Sequence, residues 1–504
     1  MKAHRPGGKP RSRLRRWLKP GAALALLAAV ALFLARTRLV GAAVGSVLRR
    51  AGASDVRLSV AQASPWRVVL ADVAFNVRTQ PFAAKRVTFQ RAHWWAPSLG
   101  AVRVEQARLP LTVDGSDTNP WSWATYRGGS ARLRAAALPA DSVSIDGTLV
   151  VRAAAVPEQE LTVKLEAALD EAGHWQGTVQ ADGPGLHLAA EGLYRHAAAE
   201  MDFAVPQLRV ELKAWQEFVR RMVFLPGGKW ELEGTAVAEA AGRLRDGKVA
   251  SAGTVSLREG RLANRERKIS ATGVEFDLEF EEFETMRSKP GALRIAGLGA
   301  GGLQLTGIEA GFAFENDNFI KVSRAAGGLL GGRMATEPFN VFLDQQDLEC
   351  VLLADGLDVE RILALIPDVP AKATGRVDGR LPIRVDEQGL RLGTGWLEMK
   401  KGAYAEIQFN AAGLLTRGVD TKSVSYPVLQ KLEAGLLRLK LGAMRIDLYP
   451  PDRPPGLSAR LHLAGEPTDP TVKAPVTLDL NVNGPLEKLL NLGLDSRVRI
   501  GPGK

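Results

Sequence analysis

Cysteine is almost absent from this 504-residue chain: Cys350 stands alone, which excludes an internal disulfide framework and any multi-thiolate metal site. Histidine is scarce as well. His4, His93, His174, His187, His196 and His462 lie without paired spacing, so neither a zinc site nor a Ser-His-Asp arrangement has parts to build on. No Walker sequence, G-x-S-x-G or H-E-x-x-H occurs. An enzyme is not expected, and no cofactor or metal is implied. The body of the chain also lacks an excess of charge. The total is +11, but residues 1–50 hold twelve basic residues and no acid, which leaves −1 for residues 51–504. A nucleic-acid binder needs its basic footprint on the folded part, so that class is excluded. Hydrophobic residues make up 46%, enough for large buried surfaces.

The basic start precedes the one long apolar run. Gly21 to Ala35 is uncharged, rich in Ala, Leu and Val, and closed by Arg36. From Pro20 to Ala35 a helix spans about 24 Å at ~1.5 Å per residue, enough to cross a bilayer if Lys19 and Arg36 snorkel outward. The small-x-small site Ala29-Val30-Ala31 would cut inside the run, so the segment reads as an uncleaved anchor, with a cleaved signal as the alternative. The positive-inside rule keeps residues 1–19 in the cytoplasm and exports the body. Residues 20–38 are then the transmembrane anchor. Over residues 39–54, Leu39, Val40, Ala43, Val44, Val47 and Leu48 repeat at helical spacing, as in a short helix at the membrane surface.

From Asp55 onward the dominant signal is period two. Val274, Phe276, Leu278 and Phe280 alternate with Glu275, Asp277, Glu279 and Glu281; Leu478, Leu480 and Val482 alternate with Asp479 and Asn481. Turn-forming dipeptides recur at Asp114-Gly115, Asp146-Gly147, Asp182-Gly183, Asp246-Gly247, Asp378-Gly379 and Asn483-Gly484, which predicts hairpins and antiparallel neighbours. Four short helices interrupt the strands. One carries Trp215, Phe218, Val219, Met222 and Val223. A second is capped by Asp358 with Val359, Ile362, Leu363 and Ile366 on one face. A third starts near Ser425 and Pro427 with Leu429, Leu432 and Leu436, and the last follows Pro485 with Leu486, Leu489 and Leu490. They cap the ends of β-layers.

About 450 residues of meander exceed a single sandwich, and no linker divides them, so the sheet must grow along an axis. At ~12 residues per strand and turn, roughly 35 strands are expected. Aromatic residues are only 6% of the chain, so the apolar face is mostly Leu, Val and Ala, a smooth lining that suits an open groove. A packed double layer would show the same alternation.

Other motifs point elsewhere but weakly. Gly297 to Gly302 has G-x-G-x-x-G spacing, yet Leu303-Gln304-Leu305-Thr306-Gly307 continues a strand where a dinucleotide site needs a helix. Glu279, Glu281, Glu282 and Glu284 read as a solvated face, and Cys350 as a small core residue. Trp94-Trp95, Trp121 and Trp123 suit buried packing, or an interface with lipid or a partner.

Four ordered stretches carry a resemblance: Gly327-Gly328-Leu329-Leu330-Gly331-Gly332-Arg333, the run Asp355 to Leu365, Gly375 to Ile383, and Val476 to Leu490. Over the last 180 or so residues the chain resembles the YdbH family of AsmA-like bridge-like lipid transfer proteins of diderm bacterial envelopes. The resemblance implies a taco-shaped, antiparallel-rich β-groove anchored in the inner membrane, with phospholipids carried along a hydrophobic trough toward the outer membrane. It also implies a small outer-membrane lipoprotein as partner, and no catalytic residues.

The expectation is therefore a mainly β, elongated groove in two parts, residues 55–323 and the family-like 324–504, behind a single-pass anchor, with its bulk in the periplasm. An envelope scaffold or assembly factor for outer-membrane proteins is the alternative. Val274, Phe276, Leu278, Phe280, Leu461, Leu463, Leu478 and Leu480 are the expected lining. Leu494, Ser496, Val498 and Ile500 alternate with charged residues at the end of the chain and form the expected terminal edge strand, where the lipoprotein would add its own strands.

Overall fold

The computed structural model describes residues 36–483 apart from 51–52, 78–79, 92–98, 114–139, 154–155, 197, 223–228, 247, 267, 301–302, 344–347, 365–370, 387–388, 401, 410–415, 417, 450–456, 471 and 473. Helix α1 (36–50) opens the described chain. The helix expected over 39–54 thus begins earlier, and the chain turns into a strand at Ala53. Among the described residues no helix is long and apolar enough to cross a membrane. Of the expected anchor, only 36–38 fall within them, and the helix expected after Pro485 and the terminal edge strand fall outside.

Among the described residues everything else hangs on one sheet of twenty-seven strands. The first block is β1 (Ala53–Ala63), β2 (Arg67–Val77), β3 (Gln80–Gln90) and β4 (Leu99–Val113). Then come β5 (Ala140–Ala153), β6 (Val156–Leu169), β7 (Trp175–Gly183), β8 (Leu186–Arg195) and β9 (Glu200–Glu211). After α2 (Leu212–Met222) follow three long strands, β10 (Trp230–Arg245), β11 (Lys248–Asn264) and β12 (Ile269–Glu282). Next are β13 (Arg287–Ser288), β14 (Gly291–Ala300), β15 (Leu303–Asn316), β16 (Phe319–Leu329), β17 (Gly332–Thr336), β18 (Phe339–Phe342) and β19 (Leu348–Asp358). The last part holds α3 (Val359–Leu363), β20 (Ala371–Thr374), β21 (Arg376–Asp386), β22 (Gly389–Leu392), β23 (Gly395–Met399), β24 (Ala405–Phe409), α4 (Tyr426–Leu437), β25 (Arg438–Leu448), β26 (Leu457–Pro467) and β27 (Val476–Asn483).

Every ladder but one is antiparallel, and up to β12 each strand pairs with the next, as alternation and short turns imply; further on several ladders skip a short strand, as in β12 with β14, β19 with β21 and β23 with β25. The exception is β4 with β5, which run parallel from Leu99↔Ala140 to Val113↔Ala153. A parallel pair needs a crossover of a dozen or more residues, and residues 114–139 supply the length. Among the described residues no ladder joins β1 to β27, so the sheet is open.

Period two explains the strands better than the turn dipeptides do. Asp246 lies in the two-residue turn between Arg245 and its partner Lys248, with φ +50°, as expected. Asp146-Gly147 and Asp378-Gly379 instead sit inside β5 and β21. A Cβ on Gly147 would lie 2.3 Å from the Ala107 carbonyl oxygen, and one on Gly379 would lie 2.3 Å from that of Trp396, so close approach of the neighbouring strand selects glycine there. Gly183 ends β7 and the turn falls on Pro184-Gly185. Asn483 closes β27, and Asp114-Gly115 lies outside the described residues.

Following the ladders shows that the two rims of the sheet differ. One rim collects Ala53, Val77, Val151, Glu211, Trp230, Asn264, Leu329, Asp358 and Arg438. All four helices of the described residues sit there: α1 precedes Ala53, α2 links Glu211 to Trp230, α3 follows Asp358 and α4 precedes Arg438. Among the described residues the other rim carries turns and no helix. A few residues in from the helical rim, Gly234 of β10, Glu259 of β11, Gly273 of β12 and, beyond β14, Gly307 of β15 all have positive φ. Such bulges bend a strand and increase its twist, and their alignment places a crease along the sheet.

The helices form for local reasons. Asp358 caps α3 by accepting the Glu360 N–H at 2.9 Å, and α4 has Pro427 in its first turn. In α2, Trp215 and Phe218 are buried against Val151 and Leu161, and the Trp215 indole N–H donates to the Pro184 carbonyl at 2.9 Å. The helix therefore lies over the apolar face at the helical rim, as a cap.

Candidate functional site

Among the described residues no constellation of reactive side chains stands out. Among the described residues no group of three His, Cys, Asp or Glu side chains is placed to hold a metal ion. The glycine-rich Gly297 and Gly299 lie within β14 and are paired with β12 and β15 as strand. What stands out is a surface: the apolar face of the sheet.

Residues directly opposite across a ladder share a face, as do residues two apart on a strand. By those two steps alone the apolar face can be followed from one end of the sheet to the other. It runs Val60, Leu70, Val87, Val104, Ile145, Leu165 and Val179 across β1 to β7. From Ala181 it continues through Leu188, Leu208, Ala238 and Val255 to Leu278. Phe276 leads to Leu293, Ala310 and Ala325, and Gly327 to Met334, Ala354, Gly379, Leu397, Ile446, Leu461 and Leu480. No charged residue interrupts this lane. It crosses twenty-two strands.

The lane is not equally covered along its length. At the C-terminal end Val377, Leu397, Ala405, Leu439, Leu441, Met444 and Leu463 form a packed cluster in which Leu439 and Leu463 are 0% exposed. Near the start Leu70, Val73, Ala84, Val87, Val104 and Ala107 form a second, against which Val44 of α1 packs. In between, over β8 to β10, Leu188, Leu208 and Ala238 are only half-buried. Small residues dominate there: Ala190, Gly192, Ala236, Ala238, Ala240 and Gly242. A closed double layer would cover these positions, so this stretch of the trough is partly bare.

The sequence-derived lining falls in two places. Val274, Leu278 and Phe280 are buried at 7%, 5% and 5% exposure, and Phe276 is half-buried opposite Leu293. Phe280 stacks on Phe283 at 4.7 Å between ring centres. Far along the sheet, Leu463 is buried while Leu461 and Leu478 are half-buried against the same C-terminal cluster. Leu480 faces Leu461 in the ladder. The two sets do not touch; the lane joins them. Leu494, Ser496, Val498 and Ile500 lie outside the described residues. Pattern reading missed the alanine and glycine positions of the middle stretch, because small residues give a weak alternation.

The opposite face is held by ion pairs between neighbouring strands. Asp277 pairs with Arg258, Glu279 with Lys289 at 2.6 Å and Glu281 with Arg287 at 3.2 Å. Glu282 accepts from the Thr285 hydroxyl and Glu284 from the Ser251 N–H, so each acid of that run has its own partner. Asp202 takes hydrogen bonds from Arg243 and Arg195, which hold its carboxyl below the usual range. Lys400 does the same to Asp355, and its own ammonium is held up in return. Cross-strand pairs of this kind contribute little each but fix register.

One comparison with known proteins is decisive. Residues 116–404, more than half of the chain, match the family model YdbH-like, described as intermembrane phospholipid transport protein YdbH. The chain belongs to the YdbH-like family. The match covers β5 to β23, so it reaches further toward the N-terminus than the last 180 residues and stops before Val476 to Leu490. No curated protein and no solved structure matches the chain. For a YdbH-like chain the relevant cargo is phospholipid, and the apolar lane is the surface with the matching chemistry.

Proposed function

We propose that this protein is a conduit that moves phospholipids between the inner and outer membranes, with acyl chains on the apolar lane and headgroups in water. The carrying observation is the lane itself: an unbroken apolar face whose middle stretch is half-bare and lined by small residues. Soluble surfaces seldom leave so much apolar area uncovered unless something binds it. The family's description as intermembrane phospholipid transport supports the same cargo. Neighbouring positions along the lane offer similar apolar contact, so sliding needs no chemical step, and no residue is assigned a catalytic role.

In this reading residues 20–38 anchor the chain in the inner membrane with residues 1–19 in the cytoplasm, and the sheet stands in the periplasm. A small outer-membrane lipoprotein completes the bridge, pairing with the strand that ends in Leu494, Ser496, Val498 and Ile500. Transfer of fluorescent phospholipid between donor and acceptor vesicles tests the conduit. The full chain should accelerate transfer and the variant Leu278→Asp should not, because a carboxylate on the lane has no partner. Equal rates for the two would reject the lane as the path.

A further inference from the structure

α1 lies on the start of the apolar lane. A Cβ on Gly41 would meet Val60 at 3.3 Å and Leu58 at 3.6 Å, and Val44 packs on the cluster around Leu70. Val60 is the first residue of the lane, and Leu58, two residues back, shares its face of β1. Among the described residues β1 pairs with β2 alone, so the lane ends there at a free edge.

At about 3.6 residues per turn, Gly41, Val44 and Leu48 share the side of α1 that rests on the sheet. Leu39, Ala43 and Val47 recur at i, i+4 and i+8 on the far side, where Leu39 is 54% and Val47 64% exposed. Arg38, Ala42, Gly45 and Arg49 recur at i, i+4, i+7 and i+11 on the flank turned away from Val44. A cavity of about 410 Å³ lies between that flank and β1, with Leu58 and Val60 in its opposite wall. The Arg49 guanidinium folds over Gly45: a Cβ there would meet its Nη2 at 3.3 Å and touch no other residue. Among the described residues neither Arg38 nor Arg49 has an ion-pair partner, and residues 1–50 contain no acid. One wall of the cavity continues the lane, and the other carries two uncommitted cations.

We propose that this cavity is the loading site of the lane, where a phospholipid enters with its phosphate on Arg49 and an acyl chain on Leu58 and Val60. The inference rests on the lane being the lipid path. A phosphodiester accepts the forked N–H donors of a guanidinium, and the volume falls in the ~300–1,000 Å³ range of ligand pockets. The source is a bilayer and not a free anion. The exposed stripe Leu39, Ala43 and Val47 ends in Arg36 and Arg50, a pattern that seats a helix in an anionic membrane surface. The uncharged run 21–35 leads directly into the same helix. α1 thus offers one side to the membrane and another to the lane, with the cavity on the flank between them.

The test uses the full chain reconstituted with vesicles of phosphatidylethanolamine and phosphatidylglycerol, with a photo-crosslinking residue at one position at a time. Ala42 reports on the cavity, Phe276 on the lane, and Ala43, on the outward stripe, on plain contact with the bilayer. Lipid should be captured at all three. Arg49→Glu should lower capture at Ala42 and Phe276 about tenfold, the ratio for loss of one charge-assisted hydrogen bond, and spare Ala43. Gly45→Leu, whose side chain displaces only the Arg49 guanidinium, should do the same by filling the cavity. Unchanged capture at Phe276 in both variants would overturn the loading site and leave the conduit standing, because lipid would then reach the lane elsewhere. No capture at Phe276 in the wild type would overturn the conduit and the loading site together. An equal fall at all three positions would reduce Arg49 to membrane adhesion, and protein captured at Ala42 in place of lipid would make the β1 edge a strand-pairing site; either result rejects the proposal. Inorganic phosphate that suppresses capture at Ala42 would assign the cavity to a free anion instead.

Discussion

At the scale of single residues, the lane has two kinds of position, and they should respond oppositely to substitution. Leu463 is fully buried, so Leu463→Ala removes packed volume and should cost about 2–5 kcal/mol, read as a lower denaturant midpoint. Ala238 is half-buried in the bare stretch. Ala238→Trp has room, should leave the midpoint nearly unchanged, and should slow lipid transfer by filling the trough. The wet face makes a third prediction. The carboxyls of Asp202 and Asp355 are held low by their cationic partners, so each stabilises the fold above its unfolded value and loses that contribution as pH falls through the lower folded value. Asp355 is exposed and Asp202 is only half-buried, so the effect is small. The denaturant midpoint should be flat at neutral pH and decline only in acid below about pH 4; a decline that begins near neutral pH would contradict this.

At the scale of elements, α2 shows what was legible in the sequence and why. Trp215 and Phe218 at i and i+3 announce a buried helical face, and the structure buries both. Trp215→Ala should cost about 3–5 kcal/mol locally, exposing Val151 and Leu161 to exchange while the ladders of β10 to β12 stay protected; global loss of protection would contradict the capping role. The alternation of β12 was equally legible, since its bulky apolar and acidic residues differ strongly. Asp146-Gly147 and Asp378-Gly379 misled because a glycine chosen for close approach between strands looks the same in sequence as one chosen for a turn. The parallel pairing of β4 and β5 was invisible, because period two is common to both strand directions. So was the parting of β18, which pairs with β16, from β19, which pairs with β17 and β21: Glu337-Pro338 reads as a simple break until the ladders on either side are compared.

At the scale of the whole molecule, a linear order of strands makes length a direct product of strand number. The lane crosses twenty-two strands, which at ~4.8 Å each gives a contour of about 100 Å. That is shorter than the roughly 35 strands of the sequence estimate would give, because α2, α3 and α4 with their links use residues outside the strands and β13, β18, β20, β22 and β24 lie off the lane. Strands run across the long axis, so the two rims run along it. Among the described residues every helix lies on one rim and the other carries turns alone, an arrangement suited to a trough open on one side. The most direct test is the lipid content of the full chain purified from membranes, compared with Ala238→Trp by native mass spectrometry. The account predicts several phospholipids bound to the wild type and fewer to the variant, with unchanged folding. A lipid-free wild type, or equal lipid in both, would contradict it.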